Sequence, residues 1–62
     1  MGEHLQAAID HGRAKPYYGQ YIIYPRKFPC ELVYMALLVE LEQDYEFVQV
    51  FPGTVKAIPK NW

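Results

Sequence analysis

The chain carries one cysteine, Cys30, in 62 residues. An intrachain disulfide is therefore excluded, and with it the stapled class to which many secreted chains of this size belong. Long apolar runs are missing as well. The longest, Met35–Val39, falls far short of the ~20 residues that span a bilayer, so no membrane partner is expected. The start, MGEHLQAAIDHGRAK, lacks a basic end followed by an apolar stretch and does not read as a secretory signal. The cytoplasm is the expected compartment. No excess of one charge exists either: six Lys and Arg face seven Asp and Glu, for a net charge of −1. Charge alone thus implies no polyanionic partner.

Chemical signatures are equally scarce. The chain has no phosphate-binding glycine loop, cofactor fingerprint or catalytic triad. It has no internal repeat, low-complexity tract or linker. No cofactor and no metal are expected. A single domain of this length has little room for both a core and an enclosed site of ~300 Å³ or more, so an enzyme is not expected.

What is present is apolar. Hydrophobic residues make up 52% of the chain and aromatic residues 16%, which argues for a folded domain rather than disorder. Chains of this size bury only about 60% of their unfolded surface, so a dense core or self-association must supply the stability that disulfides would otherwise give.

The pattern reads as one small α+β domain over residues 1–62. Glu3–His11 reads as a short helix with Leu5, Ala8 and Ile9 on one face and Gly12 as its stop. Pro16 should end anything before it. Tyr17–Tyr24, YYGQYIIY, reads as a strand, with Gly19 marking a bulge or a close approach. Pro25–Pro29 is a stiff basic loop, and Pro29 suits the first position of a helix running to Gln43. Tyr45–Phe51 is a second strand. Pro52-Gly53 signals a type II turn, whose twist fits a two-residue hairpin poorly, so a longer or bulged connection, or a last segment that is simply extended, is expected. Thr54–Ile58 is a third strand, and Pro59 forbids a long continuation at a central position. The main helix should pack on a sheet of two or three strands. Strand–helix–strand order allows a parallel crossover in a mixed sheet, or an antiparallel arrangement with other neighbours.

The main helix holds the strongest functional hint. At 100° per residue, Cys30, Val33, Tyr34, Leu37, Leu38 and Leu41 form one stripe. Leu32, Met35, Ala36 and Val39 form another, roughly opposite. Glu31 and Glu42 lie in one seam between them and Glu40 in the other. A surface helix of a small domain needs only one apolar stripe. The second points to a partner: another protein or a second copy of the chain. Leu32, Met35, Ala36 and Val39, with Arg26 and Lys27, are the candidate protein-binding residues.

Charge is unevenly placed. Arg13, Lys15, Arg26 and Lys27 fall in a stretch free of acids between His11 and Cys30, whereas Glu40, Glu42, Asp44 and Glu46 alternate with other residues. Arg13–Lys27 also holds Tyr17, Tyr18, Tyr21 and Tyr24. Cations interleaved with aromatics suit single-stranded nucleic acid. That alternative uses Arg13, Lys15, Tyr17, Tyr18, Arg26 and Lys27. Against it, a continuous strand sends its tyrosines to both sides, one of which is core.

Other candidates have plainer readings. His4 and His11 are seven residues apart, wider than zinc ligands on one helix usually sit, and read as exposed side chains. Cys30 at a helix start favours a thiolate, but no glycine-rich oxyanion loop accompanies it, so it reads as a buried or half-buried structural thiol. The four acids straddle a helix end and diverge, which makes them a solvated seam. Trp62 reads as a core plug. Small non-catalytic proteins, phage-encoded ones included, often inhibit or link larger machines. By that analogy the chain is expected to be a protein-binding inhibitor or adaptor, or else a homodimer, a nucleic-acid binder or a subunit of a larger assembly.

Overall fold

The structure, a computed structural model, describes residues 2–61. The expectation for Trp62 lies outside these residues. The fold is α+β: two helices, α1 (Glu3–Asp10) and α2 (Glu31–Leu41), cover one side of a four-stranded antiparallel sheet. The strands are β1 (Ala14–Tyr17), β2 (Gln20–Ile23), β3 (Tyr45–Phe51) and β4 (Thr54–Pro59), in the order β1-β2-β4-β3.

α1 forms as its spacing predicts, with Ala8 buried and Leu5 and Ile9 against the core. Gly12, at φ +71°, ends it. The Gly12 N–H donates to the Ile9 carbonyl at 3.1 Å and the Arg13 N–H to that of Ala8 at 2.7 Å. This is the paired closure that a left-handed glycine after a helix permits.

The expected strand Tyr17–Tyr24 is instead part of a hairpin. β1 and β2 pair from Ala14↔Ile23 to Tyr17↔Gln20 around a two-residue turn, Tyr18-Gly19. Tyr18 has φ 49° and Gly19 φ 82°. Two positive φ values give the turn whose twist matches that of the flanking strands. The glycine was visible in the sequence. The tyrosine hid the turn, because asparagine or glycine is the usual residue at its position. Pro16 therefore sits inside β1 rather than ending the segment before it. The Tyr24 N–H donates to the Arg13 carbonyl at 2.8 Å, and bonded pairs alternate from there, so Pro16↔Tyr21 is a non-bonded pair. The ring nitrogen of Pro16 faces the free edge of an outer strand, where no donor is needed.

Pro25–Lys27 forms one 3₁₀ turn. α2 then starts at Glu31, two residues later than the proline pattern suggests, and ends at Leu41 rather than Gln43. Cys30 is its extended N-cap, at φ −160°.

The last two strands form a hairpin with a two-residue loop, Pro52-Gly53, and Gly53 at φ +79° fits the third position of a type II turn. The misfit of that turn with strand twist is taken up as expected, by a bulge. The register passes from Gln49↔Val55 straight to Phe51↔Thr54, which leaves Val50 as the extra residue. β4 lies between β2 and β3 and is antiparallel to both. β2 and β3 thus run parallel with β4 inserted between them, a split strand–helix–strand unit. No two adjacent strands are parallel, so the sheet is not mixed. Pro59 pairs only with Tyr45, beyond the reach of β2, and so removes no bond at a central position.

The core is small. Among the described residues Ala8, Ala14, Ile23, Leu37, Leu41 and Ala57 are buried, and of these only Ile23 and Leu37 are large side chains fully removed from solvent. The alanines sit where helix and sheet approach. Tyr21 and Phe47 pack around this centre.

Candidate functional site

Two apolar surfaces remain uncovered, one on each side of the molecule. The first is the outward side of α2. Leu37 and Leu41 turn into the core, and the residues on the opposite arc turn out. Leu32 is 81% exposed, Met35 46% and Val39 58%. Ala36 is half-buried at the margin. The exposed Glu31 and Glu42 flank this stripe along one side. The opposite stripe is as expected at Tyr34, Leu37, Leu38 and Leu41, while Val33 is half-buried outside the core cluster and Cys30 leaves the stripe. Its thiol is exposed at the N-cap, not buried, because the helix begins one residue after it.

Glu40, in the other seam, is not merely solvated. Its carboxylate accepts the backbone N–H groups of His4 at 3.0 Å and Leu5 at 2.9 Å. The first N–H groups of a helix lack partners within it, and the residue before α1 is Gly2, which has no side chain to supply one. An acid from α2 fills that role and adds a favourable charge at the dipole's positive end. Val39 and Glu40 thus occupy successive positions with unrelated tasks.

The second surface is the bare side of the sheet. Because Ile23 and Ala57 face the helices, their neighbours face away. One cross-strand row on the bare side reads Lys15, Ile22, Lys56, Val48. A second contains Tyr17 and Gln20, with Ile58 and Glu46. The bulge at Val50 re-aims the end of β3. Plain alternation from Phe47 would turn Phe51 inward. The bulge instead brings both Val50 and Phe51 into one shallow groove with Tyr17, Ile22, Thr54 and Lys56. The groove holds about 200 Å³, less than the roughly 300 Å³ at which small-molecule pockets begin. Phe51 is 65% exposed. The Lys56 ammonium lies 5.9 Å from the centre of the Tyr17 ring, and Tyr18 stands edge-on to Tyr17 at 4.7 Å.

Of this face the sequence reading names Lys15, Tyr17 and Tyr18 and misses Ile22, Val48, Val50, Phe51 and Lys56. The alternation of Glu46, Val48 and Val50 placed two valines beside a single acid on one side of β3, which is the signal that it is not a solvent face. The hairpin also answers the objection to the tyrosine-rich segment. Only Tyr21 enters the core, whereas Tyr17 and Tyr18 stay exposed.

The expected site residues are not all brought together. Arg26 packs over the β3–β4 turn, its Nε within 3.3 Å of where a Cβ on Gly53 would stand. The Lys27 ammonium lies 5.6 Å from the centre of the Tyr24 ring, and the Arg13 guanidinium 5.9 Å from that of Phe28. Arg26 thus sits against the β3–β4 turn and Lys27 against Tyr24. His4 and His11 fall at opposite ends of α1. Among the described residues no three His, Cys, Asp or Glu side chains gather as a metal site, and no helix is long and apolar enough to cross a membrane.

Two phenols are perturbed. Burial raises the pKa of Tyr34. Burial also raises that of Tyr45, with further upward contributions from the neighbouring Tyr21, the Asp44 charge and a hydrogen bond with Tyr21. Tyr34 on α2 and Tyr45 on β3 both pack against the core, so they report packing rather than chemistry.

Charge segregates by layer. Of the seven acids, all but Glu46 lie on α1, on α2 or in the turn that follows α2. All six Lys and Arg residues lie on strands or in the connections outside the helices.

Comparison with protein families, with curated proteins and with solved structures finds no match for this chain.

Proposed function

We propose that this chain is a small non-enzymatic protein-binding module that acts by docking the outward stripe of α2 on a protein partner, as an inhibitor or adaptor in the cytoplasm would. The observation that carries the reading is the exposure of Leu32, Met35 and Val39 along one side of a helix whose other side already supplies the core. Burying each such side chain is worth about 1.5–3 kcal/mol, so a partner that covers the stripe gains a substantial apolar contribution. Isolated exposed aliphatics are ordinary, but a contiguous stripe is characteristic of an interaction surface.

The test is capture from host lysate with wild type and Val39→Glu side by side, after nuclease treatment. A stoichiometric protein retained by wild type and lost with Val39→Glu supports the reading. Equal recovery with both baits, or a Val39→Glu chain that no longer folds, sinks it.

A second reading, binding of single-stranded nucleic acid, is favoured by the exposed Tyr17 and Tyr18 beside Lys15 and Lys56 on the sheet side. It requires oligonucleotide binding that weakens steeply with salt and is lost in an Arg26→Ala, Lys27→Ala double variant.

A further inference from the structure

The two uncovered surfaces differ in the charge that surrounds them. The α2 stripe is flanked by Glu31 and Glu42, and the helices carry no Lys or Arg. The bare side of the sheet carries Lys56 in the middle of its groove, between Ile22 and Val48, and Lys15 on the outer strand β1, with Glu46 as the one acid on that side, at the β3 edge. We propose that these surfaces are each other's partners: the α2 stripe of one copy docks on the bare sheet of a second copy, head to tail. This rests on the protein-binding reading of the stripe and names the partner as the chain itself.

Charge selects this arrangement over the two symmetric ones. Sheet against sheet would bring Lys56 of both copies into one interface. Stripe against stripe would gather Glu31 and Glu42 of both copies at one interface with no helical cation to offset them. Stripe against sheet brings the acids of one copy to the lysine-bearing face of the next, with Leu32, Met35 and Val39 against Ile22, Val48 and Phe51, which surround Lys56. Like charges across an interface act against association, and opposite ones fix its register.

Shape agrees. The Cα frame measures 30 × 28 × 17 Å, a slab with one surface on each broad side. The 11 residues of α2 span about 16 Å at 1.5 Å per residue. Four strands about 4.8 Å apart present a face of comparable width. A helix laid there repeats the helix-on-sheet packing that already exists inside the molecule and covers the sheet on both sides. Because the two surfaces are different, each docking event leaves one of each free. The assembly therefore grows, or closes into a ring, rather than stopping at two copies.

Analytical ultracentrifugation of the purified chain tests this, with Val39→Glu breaking the stripe and Val48→Glu breaking the sheet face. Wild type is expected to rise in mass past a dimer as concentration goes from micromolar to millimolar, and to fall back as salt screens the flanking charges. Each variant alone is expected to stay monomeric with an unchanged far-ultraviolet spectrum. Their equimolar mixture is expected to form a one-to-one dimer and nothing larger, since only one good stripe and one good face remain. A monomeric wild type overturns the proposal, as does self-association that survives in Val39→Glu, or a mixture that stays monomeric. Should Val48→Glu unfold, Phe51→Glu replaces it at another exposed position of the same face; a Val39→Glu chain that unfolds overturns the stripe reading and this proposal with it. Failure here is distinct from failure of the broader reading. Monomeric wild type that still captures a different protein, lost with Val39→Glu, refutes self-docking alone.

Discussion

The two sides of α2 are made of the same residue types and meet opposite fates. Leu37 is fully buried beside Ile23 and Ala57, while Leu32, five residues earlier, is 81% exposed. Helical hydrophobicity alone therefore does not say which side builds the domain. The sheet decides it, by offering a packed surface to one arc only. The other arc, equally apolar, is free to recognise something else. A chain this short thus uses one element for two purposes, and stability and binding should separate cleanly by helical position.

The largest separation is expected at Leu37. Leu37→Ala should cost about 2–5 kcal/mol, because it opens a cavity in a core with few large side chains. Urea denaturation measures this, and a loss under 1 kcal/mol would mean that the inward side is not the core. The seam comes next. Glu40→Ala removes the acceptor for two N–H groups of α1 and should cost about 1 kcal/mol, with faster amide exchange at His4 and Leu5 than at residues of α2. A smaller effect is expected from alkali, and only on the packed side. Below the ordinary phenol value of 10.0, Tyr34 and Tyr45 are neutral in folded and unfolded chains alike. Above it, the unfolded phenols lose their protons first, because the folded values are raised. The unfolded chain then binds fewer protons, so stability falls as pH climbs. The melting temperature should drop as pH rises past 10.0, and a Tyr34→Phe, Tyr45→Phe double variant should flatten that drop. The smallest effect is expected on the outward side: Leu32→Ala should change folding stability by no more than about 0.5 kcal/mol while weakening association. A large stability loss there would erase the distinction between the two sides.

Much of this was readable from residue order. The two stripes of α2, the α1 face, the stop at Gly12 and the bulged Pro-Gly hairpin follow from helical spacing and turn chemistry. Three things were not readable, each for a local reason. Tyr18 adopts a left-handed conformation that tyrosine seldom takes, so a hairpin looked like one strand and the sheet looked a strand short. Glu40 bonds α1 across 36 residues of sequence, and no local pattern encodes such a contact. The exposed sheet groove depends on Phe51 turning outward, which follows from the extra residue at Val50 and not from alternation. The apolar stripe could be inferred from one helix. The surface that matches it arises only when β1, β2, β3 and β4 are assembled.

The central place of β4 also has a kinetic meaning. The β1–β2 and β3–β4 hairpins are local and close over short loops. The only ladder that joins them pairs Tyr21–Ile23 with Val55–Ala57, from distant parts of the chain. Closing that long loop is entropically costly and yields little until both hairpins exist. The rate-limiting event of folding is then expected to be the docking of two preformed hairpins along β2 and β4, with α2 trapped between them in sequence. Substitutions in this short central ladder should slow folding, whereas those at either outer strand should mainly hasten unfolding.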